Sequence, residues 1–189
     1  MTAPRPVALY DACALSPSLI RNLRMHLAVS GPVTPRWTDE IHDEWISNVL
    51  ADRFNLTPER LQRTRQFMEQ AVPDAQVTGD ERLIPTLALP DPNDRHVLAL
   101  AIHVRAAVIV TFNVKDCPRP GLAAYGLKGL TPDDLVCRLL DSDPQTTASA
   151  VEALRLTLRN PAYTPSTFLE RLGAVGLPEA ARRLKPDIA

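Results

Sequence analysis

The stretch LPDPNDRHVLALAIHVRAAVIVTFNVKD, residues 89–116, runs an amphipathic helix straight into a β-branched segment and places acids near both ends. Asp91 followed by Pro92 reads as an N-cap with proline at the first helical position, which puts Asp94 at N3. Val97, Leu98, Ala101 and Val104 then share one apolar face. The AAVIVTF run behind them, residues 106–112, is continuously apolar up to its threonine, as in a strand covered by helices on both faces.

The same alternation extends outward. Residues 6–10 form an apolar run ending at Asp11, and SPSLIRNLRMHLA follows with Leu19, Leu23 and Leu27 at helical spacing. Thr38 caps a second helix whose Ile41, Trp45 and Val49 form a stripe flanked by Glu40 and Glu44. Thr57 and Pro58 open a third, which ends at Val72 and Pro73. AQVTG, residues 75–79, and GLKGL, residues 126–130, read as short strands, and Thr131, Pro132 and Asp134 start another helix. Strand, helix and strand in repetition imply a parallel α/β sheet with right-handed crossovers. From Asp143 onward the signals are helical only: Asp143-Pro144, Thr164-Pro165 and Leu177-Pro178 mark three starts, with Val151, Leu154 and Leu158 as one stripe. The expected organisation is therefore an α/β unit over residues 1–132 and a helical extension over 133–189.

A chain of 189 residues with 45% hydrophobic content can bury a substantial core. With 21 Lys and Arg against 22 Asp and Glu, the net charge of −1 excludes a broad basic coat for nucleic acid, so any nucleic acid must be held locally. Three cysteines without a CxxC pair suit a reducing cytoplasm better than a disulfide framework or a zinc site. The N-terminal apolar run is too short for a targeting or spanning segment, so no membrane association is expected.

The chemistry concentrates in four acids. Asp11 and Asp116 follow the ends of two apolar strands, where open parallel sheets bind their ligands, while Asp94 lies in the first turn of one helix and Glu44 in the second turn of another. Carboxylates converging on one pocket repel one another unless protons, basic groups or a divalent cation compensate them. Oxygen donors with few histidines point to Mg²⁺, with Mn²⁺ as the second choice, rather than to zinc.

In these segments, VALYDACAL, WTDEIHDEW, LPDPNDRHVLALA and VIVTFNVKDCP, the chain resembles the PIN domain, a metal-dependent ribonuclease fold that includes the VapC-type toxins of bacterial toxin–antitoxin pairs. The resemblance spans roughly residues 6–132. It implies a three-layer fold with a central parallel sheet flanked by helices, and it assigns Asp11, Glu44, Asp94 and Asp116 as the metal-holding catalytic acids, with Thr111 and Asn113 in support. Glu40 lies on the same helix face as Glu44 and is the alternative ligand. Cys117 departs from the pattern, which commonly has an aromatic residue there, and so does Cys13, where larger or polar residues are more usual. Arg95, Lys115 and Arg119 adjoin the proposed ligands and are the candidates for holding an RNA backbone, followed by Arg60, Arg63 and Arg65.

The expected function is a Mg²⁺-dependent endoribonuclease acting on RNA in the cytoplasm, as the toxin partner of a small antitoxin. The alternatives are a non-catalytic PIN-fold module that binds RNA or protein, and a phosphatase with Asp11 as nucleophile. The helical extension would either cover the sheet or form a homodimer or partner interface. Each acid also has a simpler reading: Asp91 as a cap, Asp94 as a partner of the helix dipole, and Asp11 and Asp116 as turn residues. Trp37 and Trp45 are expected in the core, Cys117 as a packing residue, and His96 and His103 on a solvated helix face.

Overall fold

The computed structural model describes residues 5–89, 92–115 and 119–185. Four short parallel strands form one sheet in the order β2-β1-β3-β4. Strand β1 (Val7–Tyr10) lies at its centre, between β2 (Thr34–Arg36) and β3 (Val108–Val110), with β4 (Lys128–Leu130) on the far edge. In register, Leu9 faces Arg36 on one side and Ile109 on the other, and Val110 faces Leu130. The chain steps from β1 to one side for β2 and to the other for β3, so the strand order reverses between β1 and β3. Such a reversal opens a crevice at the carboxyl ends of the two strands.

Ten α-helices surround the sheet among the described residues: α1 (Ala12–Leu15), α2 (Ser18–Ser30), α3 (Asp39–Asp52), α4 (Pro58–Ala71), α5 (Arg95–His103), α6 (Arg119–Ala123), α7 (Pro132–Ser142), α8 (Pro144–Thr157), α9 (Pro165–Ala174) and α10 (Pro178–Leu184). Their starts follow the local chemistry of the sequence. Thr38 accepts the Ile41 N–H, Thr57 accepts the Arg60 N–H, and Thr131 with Asp134 forms a reciprocal capping box on α7. Proline in the first turn of α4, α7, α8, α9 and α10 sits where its missing N–H leaves no helical bond unmade.

Two sequence expectations change here. AQVTG is not a strand: it makes one bridge, Trp37 to Gln76, while the sheet takes Thr34–Arg36 as its edge strand instead. The α5 helix begins at Arg95, because Pro92–Asp94 is a 3₁₀ turn, so Asp94 is the N-cap rather than N3; Asp91 lies outside the described residues.

Trp37, Trp45 and Tyr10 are buried as expected, among Leu9, Ile41, Leu98 and Leu100. Two arginines of α2 join them. The Arg21 guanidinium lies 4.5 Å from the Trp45 ring centroid and that of Arg24 lies 4.2 Å from the Tyr10 ring. Burial depresses both guanidinium pKa values to about 10, and the electron-rich ring faces supply cation–π attraction in place of lost hydration. Burial likewise pushes the Tyr10 phenol up to about 12, only partly offset by Arg24.

The C-terminal helices are part of the same body. Helix α8 packs against α2 and α7, and α10 against α7 and α9. Of the expected stripe, Val151 and Leu154 are fully buried and Leu158 is half-buried, so this face of α8 packs within the chain. The Asp133 carboxylate at the start of α7 accepts the Glu179 and Ala180 N–H groups at 3.1 and 2.8 Å, capping α10 from a distant part of the chain. No helix among the described residues is long and apolar enough to cross a membrane.

Candidate active site

The β1/β3 crevice is built around Asp11. The sheet ladder continues one residue past each strand, with the Asp11 N–H on Val110 O at 3.1 Å and the Thr111 N–H on Leu130 O at 2.9 Å. This fixes the two backbones side by side. Although Asp11 is the N-cap of α1, its side chain makes no capping bond and is held from across the crevice instead. Thr111 Oγ1 donates to Asp11 Oδ2 at 2.7 Å, and the Cys13 thiol donates to the same oxygen at 3.0 Å. The Asn113 N–H then donates to Thr111 Oγ1 at 3.0 Å, orienting the hydroxyl. Thr111 is buried, so the arrangement is rigid.

Cys13 acts here as a donor. Burial first, and then the charge and hydrogen bond of Asp11, push its thiol up to about 11, so it remains protonated at neutral pH and is no nucleophile. This role was not legible as such, because a cysteine two residues after the acid carries no distinctive pattern.

Helix α3 presents Glu40 and Glu44 toward His96 of α5. His96 Nε2 lies 3.4 Å from Glu44 Oε2, and its Nδ1 lies 4.0 Å from Glu40 Oε1 while donating to Asn93 O at 2.6 Å. His96 is buried, contrary to the expected solvated face; His103 is exposed. The reason is that α5 is buried continuously from His96 to Ala101, so it has no polar face there. Burial alone would lower the imidazole pKa, but the Glu44 contact, the Glu40 charge and the Asn93 carbonyl outweigh it and raise it. Glu44 is closer to His96 than Glu40 and less exposed, 42% against 63% at the side chain.

Asp94 is half-buried at the N-cap of α5 and makes no side-chain capping bond. Lys115 is exposed in the turn that follows β3, and Arg95 is half-buried. Arg119 opens α6, but its side chain, like Asp116, Cys117 and Pro118, lies outside the described residues. Arg65 is not free for RNA: it binds Asp39, Asp43 and Glu69.

No group of three or more His, Cys, Asp and Glu among the described residues is arranged to hold a metal ion, and Asp116 is not among them. The donor chemistry nevertheless fits a hard divalent cation. Both hydrogen bonds described for the Asp11 carboxylate fall on Oδ2, and both come from neutral groups rather than from a competing cation.

The PIN domain model matches residues 8–115, more than half of the chain. The chain belongs to the PIN domain family. A second family model, the VapC50 C-terminal domain, matches residues 132–186. Over 97 residues the chain is 40% identical to a Mycobacterium tuberculosis protein named "Putative ribonuclease VapC50", covering 50% of this chain and 57% of that protein. It is also 26% identical over 133 residues to a Vibrio cholerae copper-exporting P-type ATPase, across 61% of this chain but 14% of the ATPase. The chain thus spans a little over half of the first relative and a small part of the second. No solved structure matches.

Proposed function

We propose that this PIN domain protein is a metal-dependent endoribonuclease that cleaves RNA phosphodiester bonds in the cytoplasm, as the toxin of a type II toxin–antitoxin pair with a small antitoxin as partner. Asp11, Glu44, Asp94 and Asp116 are the proposed acids for Mg²⁺ or Mn²⁺, with Glu40 as the alternative to Glu44. Residues 1–132 are the proposed nuclease unit and 133–189 its helical extension. The observation that carries the reading is the Asp11 carboxylate, fixed at the strand-order reversal by the neutral hydroxyl of Thr111.

In this reading the bound cation supplies a water of lowered pKa and neutralises charge developing on the phosphoryl oxygens. The chain's own residues do the rest. Thr111 and Cys13 hold Asp11 in one rotamer, so no reorganisation is needed when substrate arrives. His96 restrains Glu44 from the α5 side. Lys115, Arg95 and Arg119 hold the phosphate backbone beside the crevice.

The test is cleavage of labelled RNA with Mg²⁺ and with chelator, for the parent chain and for Asp11→Asn and Asp94→Asn. Metal-dependent cleavage abolished in both variants, with unchanged circular dichroism, supports the reading. Cleavage that persists in chelator or in Asp94→Asn sinks it.

A further inference from the structure

We propose that Phe112 is a base-stacking platform at the mouth of the crevice, and that Gly176 in the C-terminal extension sets its pose; the proposal rests on the ribonuclease reading above. Phe112 stands between Thr111, which holds Asp11, and Asn113, which orients Thr111. Its own N–H donates to Cys13 Sγ at 3.4 Å, so its backbone is tied to the same network. Yet the residue is 38% exposed, while Trp37, Trp45 and Tyr10 are buried.

The ring does not hang free. A Cβ at Gly176 would stand 3.0 Å from Phe112 Cε1 and 3.5 Å from Cζ, so one edge of the ring rests on bare backbone between α9 and α10. Glycine is required there twice over, because φ is +104° as well. That turn is anchored, with the Leu177 N–H on Leu172 O at 3.0 Å and the start of α10 capped by Asp133. The rim of the crevice is therefore assembled from both parts of the chain.

A rigid, partly open aromatic ring beside a carboxylate site suits one component of an RNA substrate. The scissile phosphate is the business of the acids and their cation, whereas a base beside it offers a neutral π-face whose stacking does not depend on sequence. A base within a duplex is already stacked on both sides, so the platform selects an unpaired nucleotide next to the cleaved bond. The extension thereby contributes to substrate choice without supplying a catalytic group.

Fluorescence anisotropy with a labelled single-stranded RNA of mixed sequence, and with the same strand in duplex, tests this in the full chain carrying Asp94→Asn to stop turnover. Phe112→Leu preserves an apolar contact with Gly176 but removes the π-face, whereas Phe112→Trp keeps it. The expected result is binding weakened about tenfold or more in Phe112→Leu and near-parental binding in Phe112→Trp, with a single-strand preference that Phe112→Leu loses. Gly176→Ala, which must displace the ring, is expected to weaken binding as Phe112→Leu does while the melting profile shows a folded chain. Equal binding by Phe112→Leu and the parent, or no preference for the single strand, overturns the proposal. A parent chain that cleaves RNA alongside such a result leaves the ribonuclease reading intact; a parent that neither binds nor cleaves overturns both.

Discussion

Acidification is expected to remove a defined part of this protein's stability through one side chain, His42. It is fully buried on α3 between Trp37 and Trp45, with ring centroids 5.5 and 6.2 Å away. The Trp45 indole N–H donates to His42 Nδ1 at 2.9 Å, so Nδ1 must carry a lone pair and the imidazole must be neutral. Burial, with a further push from the Arg65 charge, lowers its pKa from 6.5 to about 4 against smaller opposing effects of Glu69 and Asp39. Between those two values the unfolded chain binds a proton that the folded chain refuses. The contribution is therefore complete above pH 6.5 and is lost as pH falls toward 4.

A shift from 6.5 to about 4 corresponds to roughly 3 kcal/mol, approached with a slope of at most about 1.4 kcal/mol per pH unit. Against a typical total of about 5–15 kcal/mol, that is a large fraction. Urea unfolding followed by the fluorescence of the two buried tryptophans, at several pH values from 7.5 to 4.5, measures it. His42→Asn is the control, since its amide oxygen still accepts from Trp45 but does not titrate. His96, whose pKa is raised, acts with the opposite sign, favouring the fold below its unfolded value and losing that contribution as pH rises; subtraction of the two curves removes it. A parent-minus-variant difference that stays flat over the acidic range would refute the reasoning.

Three other outcomes follow from named contacts. Thr111→Val takes from Asp11 its 2.7 Å donor and from Asn113 N–H its acceptor; about a 10- to 100-fold rise in the Mg²⁺ concentration for half-maximal cleavage is expected, largely restored in Thr111→Ser, and an unchanged value would show that Asp11 needs no fixing. Asp133→Ala leaves the first turn of α10 uncapped and is expected to cost about 1–2 kcal/mol in urea unfolding, with faster proteolysis near residue 180; equal stability would mean that solvent satisfies those N–H groups as well. Arg65→Gln, which breaks pairs with exposed Asp39 and Asp43, is expected to cost under about 1 kcal/mol and to leave RNA affinity within about twofold, and a larger loss of affinity would return Arg65 to the RNA site.

What the sequence made legible was local. Helix starts were readable because a threonine or aspartate followed by proline performs its function within four residues, as at Thr57, Thr131 and Thr164. Strands β1 and β3 were readable because both are central and almost wholly apolar. Strand β2 was not: Thr-Pro-Arg has no strand signature, and Pro35 is tolerated only because β2 is an edge, where a missing N–H breaks no ladder on its outer side. The burial of His96, Arg21 and Arg24 was hidden for a related reason. Period-based reading assigns charge to a solvent face, and it cannot see that α5 has no such face or that Tyr10 and Trp45 offer rings to two guanidiniums. Asp11 was legible by position, whereas its donors come from two residues away and from one hundred residues away.

That difference in donors separates Asp11 from the acids that an arginine neutralises. Asp39, Asp43 and Glu69 meet Arg65, Glu152 meets Arg155, Glu179 meets Arg182 and Asp141 meets Arg183, and each is neutralised locally. No lysine or arginine among the described residues pairs with Asp11, Glu40 or Glu44. Asp11 is held by a hydroxyl and a thiol, and the two glutamates meet one buried imidazole; Arg24, the cation whose charge Asp11 feels, is turned onto the Tyr10 ring instead. Neutral donors fix the geometry of a carboxylate while preserving its charge, which serves a cation that must be admitted from solution and would be opposed by an arginine already in place. The donors on Asp11, a hydroxyl and a thiol, are of the kind that a cation site requires.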